Sequence, residues 1–290
     1  MALPRLRSVD DPAPLAAFLE GASLEVMPRT AEKITDLRGL LPAGGQVFVA
    51  HIDGTAPQAM QATVSRIAAA GLTPVPHIPA RVVPSREALA AWVGAYRAAG
   101  ARHALLLGGG LPRPAGPYAD SLQLLETGLF DGFDGLFVAG HPEGNRDIDP
   151  DGSERNVMAA LHAKQEWSRR KGVPLTVVTQ FLFEADPAIA WTERLASAGI
   201  DLPIRLGLAG PTKLQTLIKY AIACGVGPSL RVLQRRSRDL TKLLVPVTPD
   251  DLALAFARHK AANPGWRVEA AHLFPLGGIA PAAEWLTHNR

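Results

Sequence analysis

The sequence predicts an α/β protein, a closed (β/α)8 barrel in a single domain spanning residues 1–290. Two observations lead there: eight short apolar runs alternate with longer stretches of helical spacing, and the 290-residue length suits a barrel, which needs about 250 residues. Hydrophobic residues make up 47% and charged residues 20%, enough apolar surface for a large core and too little charge density for a disordered chain.

The strands are expected, in order, at residues 23–28, 46–52, 73–79, 103–108, 135–140, 175–183, 203–208 and 268–276. Helical spacing of apolar residues marks 57–70, 85–99, 156–171, 188–198, 211–224 and 248–262. Ser85 precedes an Arg-Glu pair, and Thr248-Pro249-Asp250-Asp251 combines a cap, a first-turn proline and acids, so both read as helix starts. Gly71, Gly100, Gly172, Gly199 and Gly225 follow helical stretches as stops. An open doubly wound sheet is the rival. Gly108-Gly109-Gly110 follows a strand, but it lacks the spacing of a dinucleotide fingerprint and no helix begins directly after it.

A net charge of +3 is too weak to argue for nucleic acid, though it suits an anionic ligand. The single cysteine, Cys224, excludes an internal disulfide and a cysteine-rich metal site. Residues 1–14 lack the apolar core of a leader, and no run of about 18 apolar residues occurs, so a cytoplasmic protein without membrane contact is expected. The basic stretch 231–242 reads as a solvated helix face or mobile segment rather than an anion clamp.

Barrel chemistry gathers at the carboxyl ends of the strands. Glu25 stands there between Leu24 and Val26. A carboxylate in an apolar strand is costly unless it is paired or working, and burial would raise its pKa toward that of a general acid; an ion pair closing the barrel is an equal alternative. His77 at the end of strand three is either a structural hydrogen-bond donor or a ligand contact. The amide of Gln180 can donate and accept, as a pterin edge requires, or be satisfied by backbone. Gly108, Gly109 and Gly110 permit close approach of a ligand to the backbone. The histidines at 51, 77, 103, 141 and 162 show no metal-ligand spacing, and no metal is expected.

In order and spacing these segments resemble the methylenetetrahydrofolate reductase family. Ser23-Leu24-Glu25-Val26-Met27-Pro28 is similar to its S-x-E-x-x-P strand, and Pro74-Val75-Pro76-His77 to its P-x-x-H segment. Leu111-Pro112 with Tyr118-Ala119, Ala139-Gly140-His141-Pro142-Glu143, and Leu161 with Lys164 resemble its L-P…Y-A, A-x-Y-P-E and L-x-x-K segments. Thr179-Gln180-Phe181-Leu182-Phe183-Glu184 resembles T-Q-F-F-F-D, the most specific match, and 197–220 continues the register.

The family consists of (β/α)8 TIM barrels that reduce 5,10-methylenetetrahydrofolate to 5-methyltetrahydrofolate, with FAD passing hydride from NADH or NADPH. The resemblance implies Glu25 as general acid, Gln180, Thr216 and Tyr220 as substrate contacts, and Ala50, His77, Gly108, Gly109, Gly110, Tyr118, Ala119, Ala139, His141, Asn145 and Lys164 at cofactor-binding positions. It also allows a homo-oligomer. The departures are concentrated in the flavin site. Glycines fill an R-G-D triplet at 108–110, Ala50 replaces a threonine, His141 a tyrosine and Asn145 a histidine. Thr216 stands where glutamine is usual and Gly278 where an arginine is often found. Two alternatives follow: a flavin-free reductase drawing hydride directly from NAD(P)H, and a folate-binding methyl-transfer partner without redox chemistry.

Overall fold

The computed structural model describes residues 13–223 and 246–290. Its eight strands are β1 (Ser23–Val26), β2 (Gln46–Val49), β3 (Thr73–Pro79), β4 (His103–Leu107), β5 (Gly135–Gly140), β6 (Leu175–Leu182), β7 (Ile204–Ala209) and β8 (Val268–Phe274). Each pairs in parallel with the next, and β8 pairs with β1, so the sheet closes into a barrel. Closure excludes the open sheet. The six expected helices appear as α3 (Pro57–Ala69), α4 (Arg86–Ala98), α6 (Arg155–Lys171), α7 (Ala185–Ser197), α8 (Leu214–Ala223) and α9 (Asp250–Ala262). The fold adds α1 (Ala13–Leu19), α2 (Pro28–Ala31), α5 (Ser121–Leu125) and α10 (Ile279–Asn289). Of these α1, α2 and α5 are too short to show a period, and Gly277, Gly278 and Pro281 obscure the start of α10, although a proline in a first turn is tolerated.

Most caps follow the sequence. Ser85 Oγ accepts from the Ala88 amide at 3.2 Å, and Gly71, Gly100, Gly172 and Gly199 all have positive φ. Thr248 differs: its hydroxyl donates to Asp250 Oδ2 at 2.7 Å instead of capping α9, and Asp250 Oδ1 accepts from Trp285 Nε1 at 2.6 Å. Two expected features, the glycine stop at Gly225 and the basic stretch 231–242, lie outside the described residues, as does Cys224.

Alternation along each strand divides the apolar residues into two cores. Leu24, Val26, Val47, Val49, Leu106, Val138, Leu206 and Leu273 face outward against the helices. Phe48, Val75, Leu105, Phe137 and Val178 fill the barrel interior as a separate cluster. Phe48 and Phe137 meet edge-on at 4.8 Å, and burial of each such ring stabilises by roughly 1.5–3 kcal/mol. The interior is therefore plugged, and what lies above the plug is held at the mouth. No helix among the described residues is long and apolar enough to cross a membrane.

Candidate functional site

The period of two that points Leu24 and Val26 outward turns Ser23 and Glu25 inward. Glu25 has an 18% exposed side chain and sits just above Phe48, its pairing partner on β2. Two imidazoles converge on the same carboxyl oxygen: Nε2 of His77 lies 3.3 Å from Glu25 Oε2 and Nε2 of His272 lies 3.6 Å from it. His272 is fully buried on β8, and its Nδ1 is 2.8 Å from Ser23 Oγ. Neither Nε2 makes a hydrogen bond among the described residues.

Electrostatics follow from that burial. Desolvation raises the Glu25 pKa, and the nearby His77 offsets part of the shift. Desolvation depresses His77 to about 4 and His272 to about 3, the latter helped by the Arg205 charge lower in the barrel. Burial thus inclines the carboxyl group toward its protonated form and leaves both imidazoles neutral at neutral pH; a carboxyl group so inclined suits a general acid. No three His, Cys, Asp or Glu side chains among the described residues are arranged to hold a metal ion.

Across the mouth, a bulge places Gln180. The β6–β7 register shifts between Val178 and Phe181. Thr179 Oγ1 accepts from the Gly207 amide and donates to the Gln180 carbonyl, both at 2.8 Å. A Cβ at residue 207 would fall 2.3 Å from that carbonyl, so only glycine fits beneath the bulge. The Gln180 amide is half-buried and makes no hydrogen bond among the described residues, unlike a core amide satisfied by backbone. Beside it stands a second apolar cluster of Phe181, Ala209, Leu214, Leu217, Ala221 and Phe274. Tyr220 packs against this cluster; Thr216, one turn earlier on α8, is half-buried. An aromatic path thus runs from His272 through Phe274 and Phe181 to Phe183, with centroid spacings of 4.7, 5.5 and 5.7 Å.

The β4–β5 side is built differently. Gly108, Gly109 and Gly110 leave β4 without side chains, and Gly109 has φ +89°, where a Cβ would meet Pro79 Cβ at 2.9 Å. Arg81, on the 3-10 turn after β3, fills the space beside them. Its amide donates to the Gly108 carbonyl at 2.9 Å, Nε to the Ala119 carbonyl at 3.0 Å and a terminal nitrogen to the Leu111 carbonyl at 3.1 Å. The Ala119 amide donates to Gln123 Oε1 at 2.6 Å. Tyr118 is buried. Lys164, on α6, is 9% exposed and makes no hydrogen bond or ion pair among the described residues. Burial lowers its pKa, opposed by Asp120. His141, depressed to about 4 by burial and then by the Lys164 charge, ends β5 beside it. Asn145 Oδ1 accepts from the Asp147 amide at 2.9 Å within its own turn. The Ala50 amide donates to the Val26 carbonyl at 2.8 Å, which buries its methyl group, and Ala139 is half-buried on β5. Two surface grooves elsewhere, one at Trp92 and Tyr96 and one at Arg169 and Asp201, share no residue with the mouth.

Most of the sequence-predicted residues therefore fall into three groups: Glu25 with His77; Gln180, Thr216 and Tyr220; and the glycines with Tyr118, Ala119, His141 and Lys164; Ala50, Ala139 and Asn145 make only backbone or within-turn bonds. The sequence reading missed His272, Ser23 and Arg81. A histidine inside an apolar strand carries the same signal as Glu25 and could have been found by it.

No family model matches the chain. A 5,10-methylenetetrahydrofolate reductase of Pectobacterium carotovorum subsp. carotovorum is 28% identical over 163 residues, covering 54% of this chain and 50% of that protein. The chain resembles methylenetetrahydrofolate reductase. It spans about half the length of this curated relative. Among solved structures, an uncharacterized protein from Clostridium thermocellum that binds two copies of 5-methyl-5,6,7,8-tetrahydrofolic acid superposes with a TM-score of 0.56. That match covers 95% of this chain and 99% of the other at 10% identity, and so bears on the fold alone. Of the residues that carry the methylenetetrahydrofolate reductase resemblance, Glu25 and Gln180 sit on strands facing the same barrel mouth.

Proposed function

We propose that this chain is a methylenetetrahydrofolate reductase-like oxidoreductase that interconverts 5,10-methylenetetrahydrofolate and 5-methyltetrahydrofolate, with NAD(P)H as hydride source. The observation that carries the reading is Glu25: a carboxyl group inclined by burial to keep its proton, at the mouth of a plugged barrel, beside a neutral histidine. The similarity to a methylenetetrahydrofolate reductase supports the choice of substrate.

In the reducing direction Glu25 delivers its proton to N10 of the folate. The bond from N10 to the bridging carbon breaks, leaving an iminium at N5. Hydride then adds to the iminium carbon, completing the methyl group, and Glu25 regains a proton from solvent. Gln180, whose amide has no hydrogen-bond partner among the described residues, would read the pterin edge. Tyr220 and Phe183 would offer faces for stacking, and Thr216 would line the same side. Holding donor and acceptor rings in contact supplies much of the rate, since hydride transfer needs short, aligned distances.

Lys164, with the backbone of Gly108–Gly110 and the neighbouring Tyr118 and His141, would hold the phosphates of a nucleotide cofactor. Bound FAD would supply a two-electron relay between nicotinamide and folate. One observation favours a second reading, direct transfer from nicotinamide: both backbone groups of Ala119 are already bonded within the protein, and 108–110 offer no side chain to a flavin. The absorption spectrum of the purified protein separates the two.

The test of the main reading is NAD(P)H oxidation dependent on 5,10-methylenetetrahydrofolate, assayed with and without added FAD. Glu25→Gln should abolish turnover and retain folate binding. Tight folate binding with no nicotinamide-dependent turnover in either direction would make the chain a folate-binding methyl-transfer partner instead.

A further inference from the structure

Gln180 stands on a strand that changes register around it, and one buried hydroxyl ties that irregularity together. Val178 pairs with Arg205 and Phe181 with Gly207, so Thr179 and Gln180 together face a single residue of β7, Leu206. A bulge of this kind re-aims a side chain. On its two flanks the chain is anchored: Val178 belongs to the interior cluster, and Phe181 packs against Phe274 at 5.5 Å. Between them Thr179 is 1% exposed, and its Oγ1 accepts from the Gly207 amide and donates to the Gln180 carbonyl, each at 2.8 Å. A hydroxyl can accept and donate at once; valine has nearly the same shape and can do neither. The carbonyl it holds belongs to Gln180 itself, so the bond fixes the backbone of the residue whose side chain enters the mouth. The Gln180 amide makes no hydrogen bond among the described residues, which leaves its aim to that backbone.

We propose that Thr179 is a positioning residue for folate binding: its hydroxyl latches the bulge to β7 and so aims the Gln180 amide into the barrel mouth. The proposal rests on the reading of Gln180 as the pterin contact. Thr179 is too deeply buried to meet a ligand, so its effect on binding passes through its neighbour. Gly207 is the other half of the latch, since a Cβ there would lie 2.3 Å from the Gln180 carbonyl and push it off the hydroxyl.

The experiment is a double-mutant cycle on the full-length protein, read by calorimetric titration with 5-methyltetrahydrofolate. Thr179→Val keeps the side-chain shape and removes both bonds. It should weaken folate binding by about tenfold, because a ligand contact is no longer pre-aimed. Thr179→Ser, which keeps the hydroxyl, should restore most of the wild-type affinity. In a Gln180→Ala background, Thr179→Val should cost nothing further, since the amide it aims is gone. In turnover, Thr179→Val should raise KM for 5,10-methylenetetrahydrofolate by a similar factor and leave kcat and its pH dependence in place, because Glu25 lies across the mouth on β1.

Wild-type affinity in folded Thr179→Val overturns the proposal, and so does an equal loss with and without the Gln180 amide, which would make Thr179 merely structural. If Thr179→Val does not fold, Thr179→Ala, whose smaller side chain leaves room for a water at the Gly207 amide, decides by the same comparison. Failure of the underlying reading looks different: Gln180→Ala alone would then bind 5-methyltetrahydrofolate as tightly as the wild type.

Discussion

The two sides of the barrel mouth solve opposite problems. Where β1, β3 and β8 meet, polar groups face one another in a dry interior: Glu25, His77, His272 and Ser23 lie within 3.6 Å of their partners. On the β4–β5 side they are left unpaired: three glycines carry no side chain, and the buried Lys164 has no hydrogen-bond or ion-pair partner among the described residues. The first arrangement shifts the proton affinity of a carboxyl group, and the second leaves a cation without a counter-charge among the described residues. Desolvation drives both, since it raises the pKa of the acid and lowers that of the lysine.

The sharpest test removes the acid. Glu25→Gln should reduce folate-dependent turnover by about 10²–10⁴-fold, the usual worth of a general acid. Thermal stability at neutral pH should stay equal or rise, because burial disfavours the ionised side chain. A wild-type rate in this variant would erase the distinction between the two sides.

Next in size is the plug beneath the network. Phe48 is fully buried and packs against Phe137, His77 and His272. Phe48→Ala should cost about 3–5 kcal/mol in denaturant unfolding and loosen the Glu25 side more than the Lys164 side, a difference readable by amide exchange on β1 and β5.

A pH series separates the histidines from the acid. Unfolded histidines bind protons near 6.5, whereas folded His77 and His272 resist until about 4 and 3. Their stabilising contribution is therefore present above pH 6.5 and is lost as pH falls toward those values. Glu25 runs the other way: its contribution is present below 4.5 and is lost as pH rises through its raised folded midpoint. With His141, which also resists protonation until about 4, three groups oppose one, so melting temperatures should fall as pH drops from 6.5 to 4. The double variant His77→Gln, His272→Gln should flatten that slope.

The smallest effect is expected on the open side. Lys164→Met should weaken nucleotide binding by about tenfold, the loss of one charge-assisted contact, without lowering the melting temperature. Isothermal titration with the nicotinamide nucleotide, and with FAD, reads the first; a fall in stability instead would mark Lys164 as structural.

Much of the fold was legible because it is written in local periods. All eight strands appear within a few residues of their expected positions, and the departures have local causes. Pro28 opens α2 and so ends β1 at Val26, and Thr248 is drawn to Asp250 by a tertiary tie to Trp285. Half of the acid site was legible too, since Glu25 and His77 each break an apolar pattern. Gln180 was legible as a residue but not as a conformation, because the bulge that presents it depends on the absent Cβ of Gly207 on another strand.

By itself, the amino-acid order determined the alternation of strand and helix, the inward face of each strand and the isolated carboxyl group on the first of them. These follow from side-chain period and burial cost, which act over a few residues. Closure of the cylinder decided the rest. Ser23 and His272 are 249 positions apart, and only pairing of the last strand with the first, in the register that sets Ser23 opposite His272, puts a hydroxyl, an imidazole and an acid in line.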